Sequence, residues 1–372
     1  MQLGSDLNIW YLHNAKALCC ILVYLTCLNV EAQEKLILQD EPKDSILDEY
    51  IIDHKKRLNV KLEVSNDVAS YNIVDDDIEL ELRPNLNLRY GVVFSYKFLS
   101  IRLGIRPKIS DDQKEKKGDS DTFRLRVQLL FDNWNHALEY NIYKGYYVHN
   151  TTDFIDSDSD IRLQFPQMSS NVFFGTSSYK FNKNYSMRAV QSQTEIQTKS
   201  AGSFMPGIGY NFYSLTGTKV IKDLNGDRID RDYYNEYQGL NLSLLAGYYY
   251  TFVFKKNYFV NAYGVPSAGM DFYTVKASSP EGTVKESLND FYVSLNYGFG
   301  GGYNGDKIFF GAEFKYRLTN EKLNSNTIRI TPSQNHFSVY FGYRFKAPKT
   351  ISKPVDMIED KVPILKDDPK GD

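Results

Sequence analysis

From residue 57 onward the chain breaks into segments of 9 to 17 residues in which apolar and polar positions alternate. Leu58, Val60, Leu62 and Val64 alternate with Arg57, Asn59, Lys61 and Glu63, and Leu240, Leu242, Leu244, Ala246, Tyr248, Tyr250 and Phe252 form a longer series. A period of two belongs to strands with one greasy face and one wet face. The pattern predicts twelve strands, at about 57–65, 78–97, 99–107, 122–131, 137–148, 184–195, 200–214, 238–254, 258–272, 289–303, 307–317 and 335–345. Residues 171–181 are left as a further hairpin arm, and Pro84 interrupts the second segment, so that 78–83 reads as a loop extension.

The connections alternate as well. Across a hairpin with an even-numbered turn the apolar parity must flip, because paired residue numbers then sum to an odd value. It flips at Lys97-Phe98, across Asp132–Asn135, and across Asn304-Gly305, which reads as a type I′ turn. Between the tight turns lie long polar stretches near 108–121, 149–183, 215–237, 273–288 and 318–334. Short turns on one side and long loops on the other predict an all-β, transmembrane, antiparallel up-and-down β-barrel with short periplasmic turns and long extracellular loops. A soluble sandwich would show polar outward faces, whereas here the greasy face of each strand is aromatic and the other is charged.

The first 32 residues differ. A largely apolar stretch at 17–30 follows Lys16 and ends in Val30-Glu31-Ala32, the pattern of a signal peptide cleaved after Ala32. Thr26 before Cys27 departs from the small residue that lipoprotein processing requires. All three cysteines, Cys19, Cys20 and Cys27, fall in this segment, so the expected mature chain has no thiol. The domain plan is then a signal peptide at 1–32, a periplasmic segment at 33–56, the barrel at 57–345 and a flexible, proline-bearing periplasmic tail at 346–372, with both flanks expected to be extended or disordered. No window past residue 32 has the apolar length of a helical span.

Composition adds two exclusions. The 372 residues carry 44 Lys and Arg against 46 Asp and Glu, and loss of Lys16, Asp6 and Glu31 leaves 43 and 44. That balance argues against a nucleic-acid partner. Aromatics make up 15% of the chain although its mean hydropathy is −0.44, which suits strands and membrane interfaces rather than a greasy interior.

The stretch LRPNLNLRYGVVFSYKFLSIRLGI, the segment YNIYKGYYV, the run YSMRAVQSQTEIQTKSAGSFMPGIGY and the ending FSVYFGYRF resemble a Bacteroidota family of exported proteins known only as a domain of unknown function. The resemblance spans residues 48–346, with Arg83-Pro84-Asn85, Tyr143-Lys144-Gly145 and Gln197 through Ser203 as its more specific pieces. It implies an outer-membrane barrel and supplies no activity and no catalytic residues.

Candidate chemistry concentrates in the lumen. A two-residue turn at Lys97-Phe98 sets Arg89 opposite Arg106 and Gly91 opposite Gly104, and Arg102, Arg124 and Arg126 face inward nearby. Crowded cations need counter-charges or an anionic ligand. Glu79, Glu81, Glu139 and Glu313 provide the plainer account, an ion-pair network that keeps a narrow barrel closed. The sharper one is a narrow pore or binding barrel for a small anionic solute, since guanidinium groups bind phosphate or carboxylate bidentately. A plugged structural or surface-interaction barrel and a rim hydrolase are the alternatives. Only His149, with Thr151 and Asp153 near it, lies at the outer mouth; His54 and His136 read as periplasmic, His336 begins the last strand, and no G-x-S-x-G elbow occurs. The expectation is therefore no catalytic residue and no cofactor. Gly298, Gly300 and Gly302 share the inward face of a strand rather than forming a phosphate loop. Asp156, Asp158 and Asp160, and separately Asp223, Asn225 and Asp227, have spacings that could wrap calcium, without the EF-hand glycine and glutamate. Phe341, Tyr343 and Phe345, ending the last strand, resemble the signal read by barrel-assembly machinery. Expected partners are thus outer-membrane lipid, that machinery and a small anionic solute.

Overall fold

The computed structural model describes residues 46–66, 70–75, 78–86, 88–106, 108–153, 160–217, 234–279, 282–320 and 335–361. The expected leader and its expected cleavage after Ala32, with most of the acidic loop residues, lie outside them. Strands β1 (Ile46–Asp48) and β2 (Ile51–Asp53) precede β3 (Arg57–Ser65), β4 (Tyr71–Asp75), β5 (Ile78–Arg83), β6 (Arg89–Tyr96) and β7 (Leu99–Ile105). After helix α1 (Asp111–Lys117) come β8 (Asp121–Leu130), β9 (Trp134–Val148) and β10 (Gln164–Tyr179). Helix α2 (Met187–Gln191) and β11 (Glu195–Gln197) lead into β12 (Ala201–Thr216), β13 (Tyr234–Phe254), β14 (Tyr258–Ser279), β15 (Gly282–Asn304), β16 (Ile308–Asn320) and β17 (Asn335–Lys346). Helix α3 (Lys349–Lys361) follows.

Twelve strands close on themselves. The antiparallel order runs β3-β6-β7-β8-β9-β10-β12-β13-β14-β15-β16-β17, with β9 pairing β10 and β17 returning to β3. Closure leaves no unpaired edge in the membrane, where an unpaired backbone group has no water to bind. Leu244 is 71% exposed, Phe299 56% and Phe341 52%, whereas Phe309, on the inward parity, is fully buried. The exposed aromatic and aliphatic positions are those of the alternation, so the outward face is the lipid-facing one. Among the described residues no helix is long and apolar enough to cross a membrane.

Twelve is the expected number, reached through a different set. Residues 184–195 do not form a barrel strand; they hold α2 and lead into β11, which begins at Glu195. The missing strand is β10, which contains most of the 171–181 arm. Its sequence hides the alternation because Val172 and Phe174 face the lumen while Phe173 packs against Phe212 outside. The 273–288 stretch is likewise a paired extension rather than a loop, since β14 and β15 stay in register from Tyr258↔Tyr303 to Ser279↔Gly282. Hydrophobic alternation stops where strands leave lipid, but backbone pairing need not.

The registers test the turn expectations. Gly91 pairs with Gly104, as the Lys97-Phe98 turn requires, and Lys97 has φ of 52°. At the other site Asn304 pairs with Phe309, which centres the turn on Asp306-Lys307, and neither Asn304 nor Gly305 has the positive φ of a type I′ turn. Asn304 is instead buried and committed to the lumen floor described below. Gly145, in β9, has φ of 84°, and a Cβ there would lie 2.1 Å from the Asp119 carbonyl oxygen. Two of the family-like pieces meet here: the Ser120 hydroxyl donates to the Gly145 carbonyl (2.8 Å) and accepts from the Asn85 amide (2.7 Å).

The flanks are more ordered than expected. β2 pairs with β11, and α3 packs on the barrel through Val355, which lies against Leu58, Tyr96 and Phe98. Residues 362–372 lie outside the described chain.

Candidate functional site: a lumen closed at its turn-bearing end

The connection between β10 and β12 sits at the end of the barrel that carries the short turns, and it folds inward. Ser186 caps α2, its hydroxyl accepting from the Ala189 amide at 2.8 Å. Met187, Arg188 and Ala189 are buried, as are Ser192 through Gln197. This segment is a floor tied to the wall on several sides. Asn59 of β3 donates to the Ser192 carbonyl (3.0 Å), and the Lys61 ammonium donates to the Gln191 carbonyl and the Gln193 side chain (both 3.2 Å). Asn304 of β15 donates to the Glu195 carbonyl (3.0 Å), and Arg344 of β17 donates to the Gln193 carbonyl (3.1 Å) and to the Asn304 side chain (2.5 Å).

Within the floor, Arg188 is the organising cation. It binds Glu195 at 2.9 Å, Asp132 of the β8–β9 turn at 2.8 Å and the Leu130 carbonyl at 2.8 Å. Burial alone would raise the Glu195 carboxyl, but Arg188 and Lys55, with a hydrogen bond from Ser186, outweigh it and hold the group below its ordinary range. The same balance of burial against Arg188 lowers Asp132. Asp53 is raised, chiefly by burial.

At the other end lies an apolar cluster. Tyr71, Tyr143, Tyr146, Phe165 and Met168 are all buried in it, and Tyr213, Tyr237 and Tyr273 stack in succession with centroids 5.5 and 5.2 Å apart. Tyr71 comes from the β3–β6 connection on the loop side.

Between floor and cluster lies a chamber of about 560 Å³. Its lining includes five Lys and Arg side chains (Lys61, Arg102, Arg126, Lys315, Arg317), His336 and five carboxylates (Glu63, Glu139, Asp271, Asp290, Glu313), with Asn211, Asn241, Asn261 and Asn296 among the amides. Gly298 belongs to the inward row, where a Cβ would lie 2.7 Å from the Tyr263 ring, so its glycine makes room for that ring.

The five arginines singled out from the sequence are placed as follows. Arg102 pairs with Glu63 at 2.7 Å and stands beside Arg126 in register. Arg124 pairs with Glu139 at 2.7 Å, and Arg126 lies 3.9 Å from the same carboxylate. Arg89 lies over the Tyr143 ring at 4.7 Å and donates to the Tyr143 and Thr122 hydroxyls, while Arg106 pairs with Asp119 and Asp121. Arg102 and Arg126 line the chamber; Arg89, Arg106 and Arg124 are not among its lining residues. The counter-charges differ from those anticipated: Glu63 joins Glu139, Glu313 pairs with Lys315, and Glu81 pairs with Arg83 off the barrel wall. Glu79 lies on β5 with Glu81.

At the outer rim, Thr151 donates to the Val148 carbonyl and accepts from the Leu163 amide, and Asp153 accepts from Asn150. His149 packs edge-on to Tyr147, and burial, then Arg83, lowers its pKa. Among the described residues these contacts assemble no nucleophile and base. Of the acidic loop positions Asp160 alone is described, 3.4 Å from Lys116; Asp156, Asp158, Asp223, Asn225 and Asp227 lie outside. Phe341, Tyr343 and Phe345 all point outward at the end of β17.

The floor residues escape the alternation pattern. The available signal is Ser186 followed by Met, Arg and Ala, a capped run of helix formers without alternation, and then a Gln/Ser/Thr-rich stretch that cannot face lipid.

A family model described as "Domain of unknown function (DUF4421)" matches residues 42–345. No curated protein matches. Among solved structures, the chain is similar to a deltaS2 mutant of the TodX monoaromatic hydrocarbon channel, at 10% identity over 78% of this chain and 90% of that one, with a TM-score of 0.32. It is also similar to the translocator domain of autotransporter NalP from Neisseria meningitidis (11%, 78% and 89%, TM-score 0.35) and to the outer membrane protease OmpT from Escherichia coli (9%, 82% and 99%, TM-score 0.32).

Proposed function

The chain belongs to the DUF4421 family, whose description names no activity, and we propose that it is an outer-membrane barrel holding a small polar solute in a lumen closed toward the periplasm. The observation that carries this reading is the inward-folded 184–197 segment, hydrogen-bonded to β3, β15 and β17, which puts a wall across the path an open pore would need. The chamber above it offers amides, phenols and charges of both signs, the donors and acceptors a polar solute requires. With five Lys and Arg side chains set against five carboxylates in the lining, beside His336, recognition rests on placed hydrogen bonds rather than on a net positive field.

An anionic group on the solute would be met by Arg126 and Arg317, which share the chamber. The solute would enter from the loop-bearing side past Tyr71. Membrane lipid is the partner of the outward belt, and barrel-assembly machinery is the partner proposed for Phe341, Tyr343 and Phe345.

The test is purified protein in a planar bilayer across a salt gradient. The proposal expects no steady conductance. A steady anion-selective current that Arg102→Ala with Arg126→Ala abolishes would replace it with the open-pore reading.

A further inference from the structure

We propose that helix α3 lies in the headgroup boundary of the periplasmic leaflet, where it anchors the turn-bearing rim of the barrel to lipid. This rests on the reading of the barrel as an outer-membrane protein with its short turns toward the periplasm. After β17 ends at Lys346, the chain turns back: the Ile351 and Ser352 amides donate to the Pro348 carbonyl at 2.9 and 3.0 Å and start the helix. The helix then lies against the outward face of the barrel rather than below it. Val355 is buried with Leu58 of β3 and with Tyr96 and Phe98 at the β6–β7 turn, each 6 to 8% exposed. Further along β3 on the same outward face, Leu62 is 58% exposed and is left to lipid. The polar edge of the helix is fixed by Lys97, whose ammonium pairs with Asp356 at 2.6 Å and with Glu359.

The remaining surface of the helix identifies what it touches. At about 100° per residue, Val355, Ile351, Ile358, Pro354 and Met357 fall on one arc of about 160°, shared with Thr350 in the first turn and Lys361 at the last position, with Lys349, Lys353, Asp356 and Glu359 on the other side. Protein covers only one edge of that arc, for Met357 and Ile358 remain 57% and 49% exposed. An apolar arc whose uncovered part continues a lipid-facing surface meets the boundary of the same lipid layer, as interfacial helices do. The exposed Lys349 and Lys353 are on the side from which an ammonium reaches phosphate.

The experiment uses the full chain in phosphatidylcholine vesicles containing brominated acyl chains, in a Trp10→Phe, Trp134→Phe background that removes both native tryptophans. Met357→Trp and, separately, Leu244→Trp as a mid-belt reference report contact with bromine by loss of fluorescence. Ile358→Trp, on the same exposed arc of the helix, takes the place of Met357→Trp if that variant does not fold. The expected result is quenching at both positions, with Met357→Trp quenched best by bromines near the headgroup and Leu244→Trp by deeper ones. Quenching at Leu244→Trp with none at the helix position overturns the helix assignment and leaves the barrel reading standing; α3 would then face water or a periplasmic protein. Absence of quenching at both overturns the membrane reading on which the inference rests.

Discussion

Replacing Arg188 by methionine should loosen the lumen floor without unfolding the barrel. Arg188 and Glu195 are 6% and 4% exposed, so the substitution strands a buried carboxylate. Breaking such a pair costs about 3–5 kcal/mol. Glu195 keeps its 2.6 Å hydrogen bond from Ser186, which places the expected loss near the lower end, about 3 kcal/mol or roughly a 100-fold rise in the opened population. Asp132 contributes less, being half exposed. Hydrogen exchange reads the effect at the Ala189, Ser192 and Thr198 amides, bonded to Ser186, Arg188 and Tyr50. Their protection should fall roughly 100-fold while β12–β13 amides stay protected. The double variant Arg188→Met, Glu195→Met removes both charges and should recover most of the loss, since apolar replacement of a whole buried pair is often neutral. Unchanged protection in the single variant, loss that spreads through the barrel strands, or a double variant no better than the single would refute the reasoning.

Three further outcomes are expected. Because Glu195 and Asp132 are held below their ordinary range, their contribution to the floor is complete above the unfolded carboxylate pKa and is lost as pH falls through the depressed folded values, with Asp53, raised, working in the opposite sense; the protection factors at Ala189 and Ser192, taken relative to the intrinsic exchange rate at each pH, should therefore fall in acid, and unchanged factors would contradict the pairing. Gly145→Ala forces a positive φ and a 2.1 Å contact with a backbone oxygen, so it should cost at least about 1–2 kcal/mol and lower the temperature at which the heat-modifiable band is lost; an unchanged transition would contradict the backbone geometry. Tyr343→Asp with Phe345→Asp puts two charges on lipid-facing positions at the end of β17 and should prevent appearance of the folded band in outer membranes; normal assembly would contradict their assignment.

The barrel is legible because lipid on one side and water on the other impose a period of two, and the parity flips give the Gly91–Gly104 register directly. Legibility fails where that contrast stops. β10 carries apolar residues on both faces, so its alternation is masked, and 184–195 takes its place in the strand count although it lies across the lumen. Inward-facing arginines can be placed by parity, but parity does not say which carboxylate each one reaches, and Glu63 meets Arg102 over Gly91 where β3 pairs with β6 and β6 with β7. Asn304-Gly305 carries a turn signal, yet the turn is centred further on because Asn304 holds the Glu195 carbonyl. The helical tail is hidden by Pro354, which suits an extended chain better than a helix interior.

Closure of the lumen toward the periplasm is tested most directly by the reach of a membrane-impermeant maleimide. The chain's cysteines all lie in the first 32 residues, so Ser243→Cys would place a single thiol in the chamber of the processed protein. With reagent confined to the turn-bearing side of oriented vesicles, Ser243→Cys should remain unlabelled and become reactive when combined with Arg188→Met. Equal, rapid labelling from that side with and without Arg188→Met would show that the 184–197 segment closes nothing.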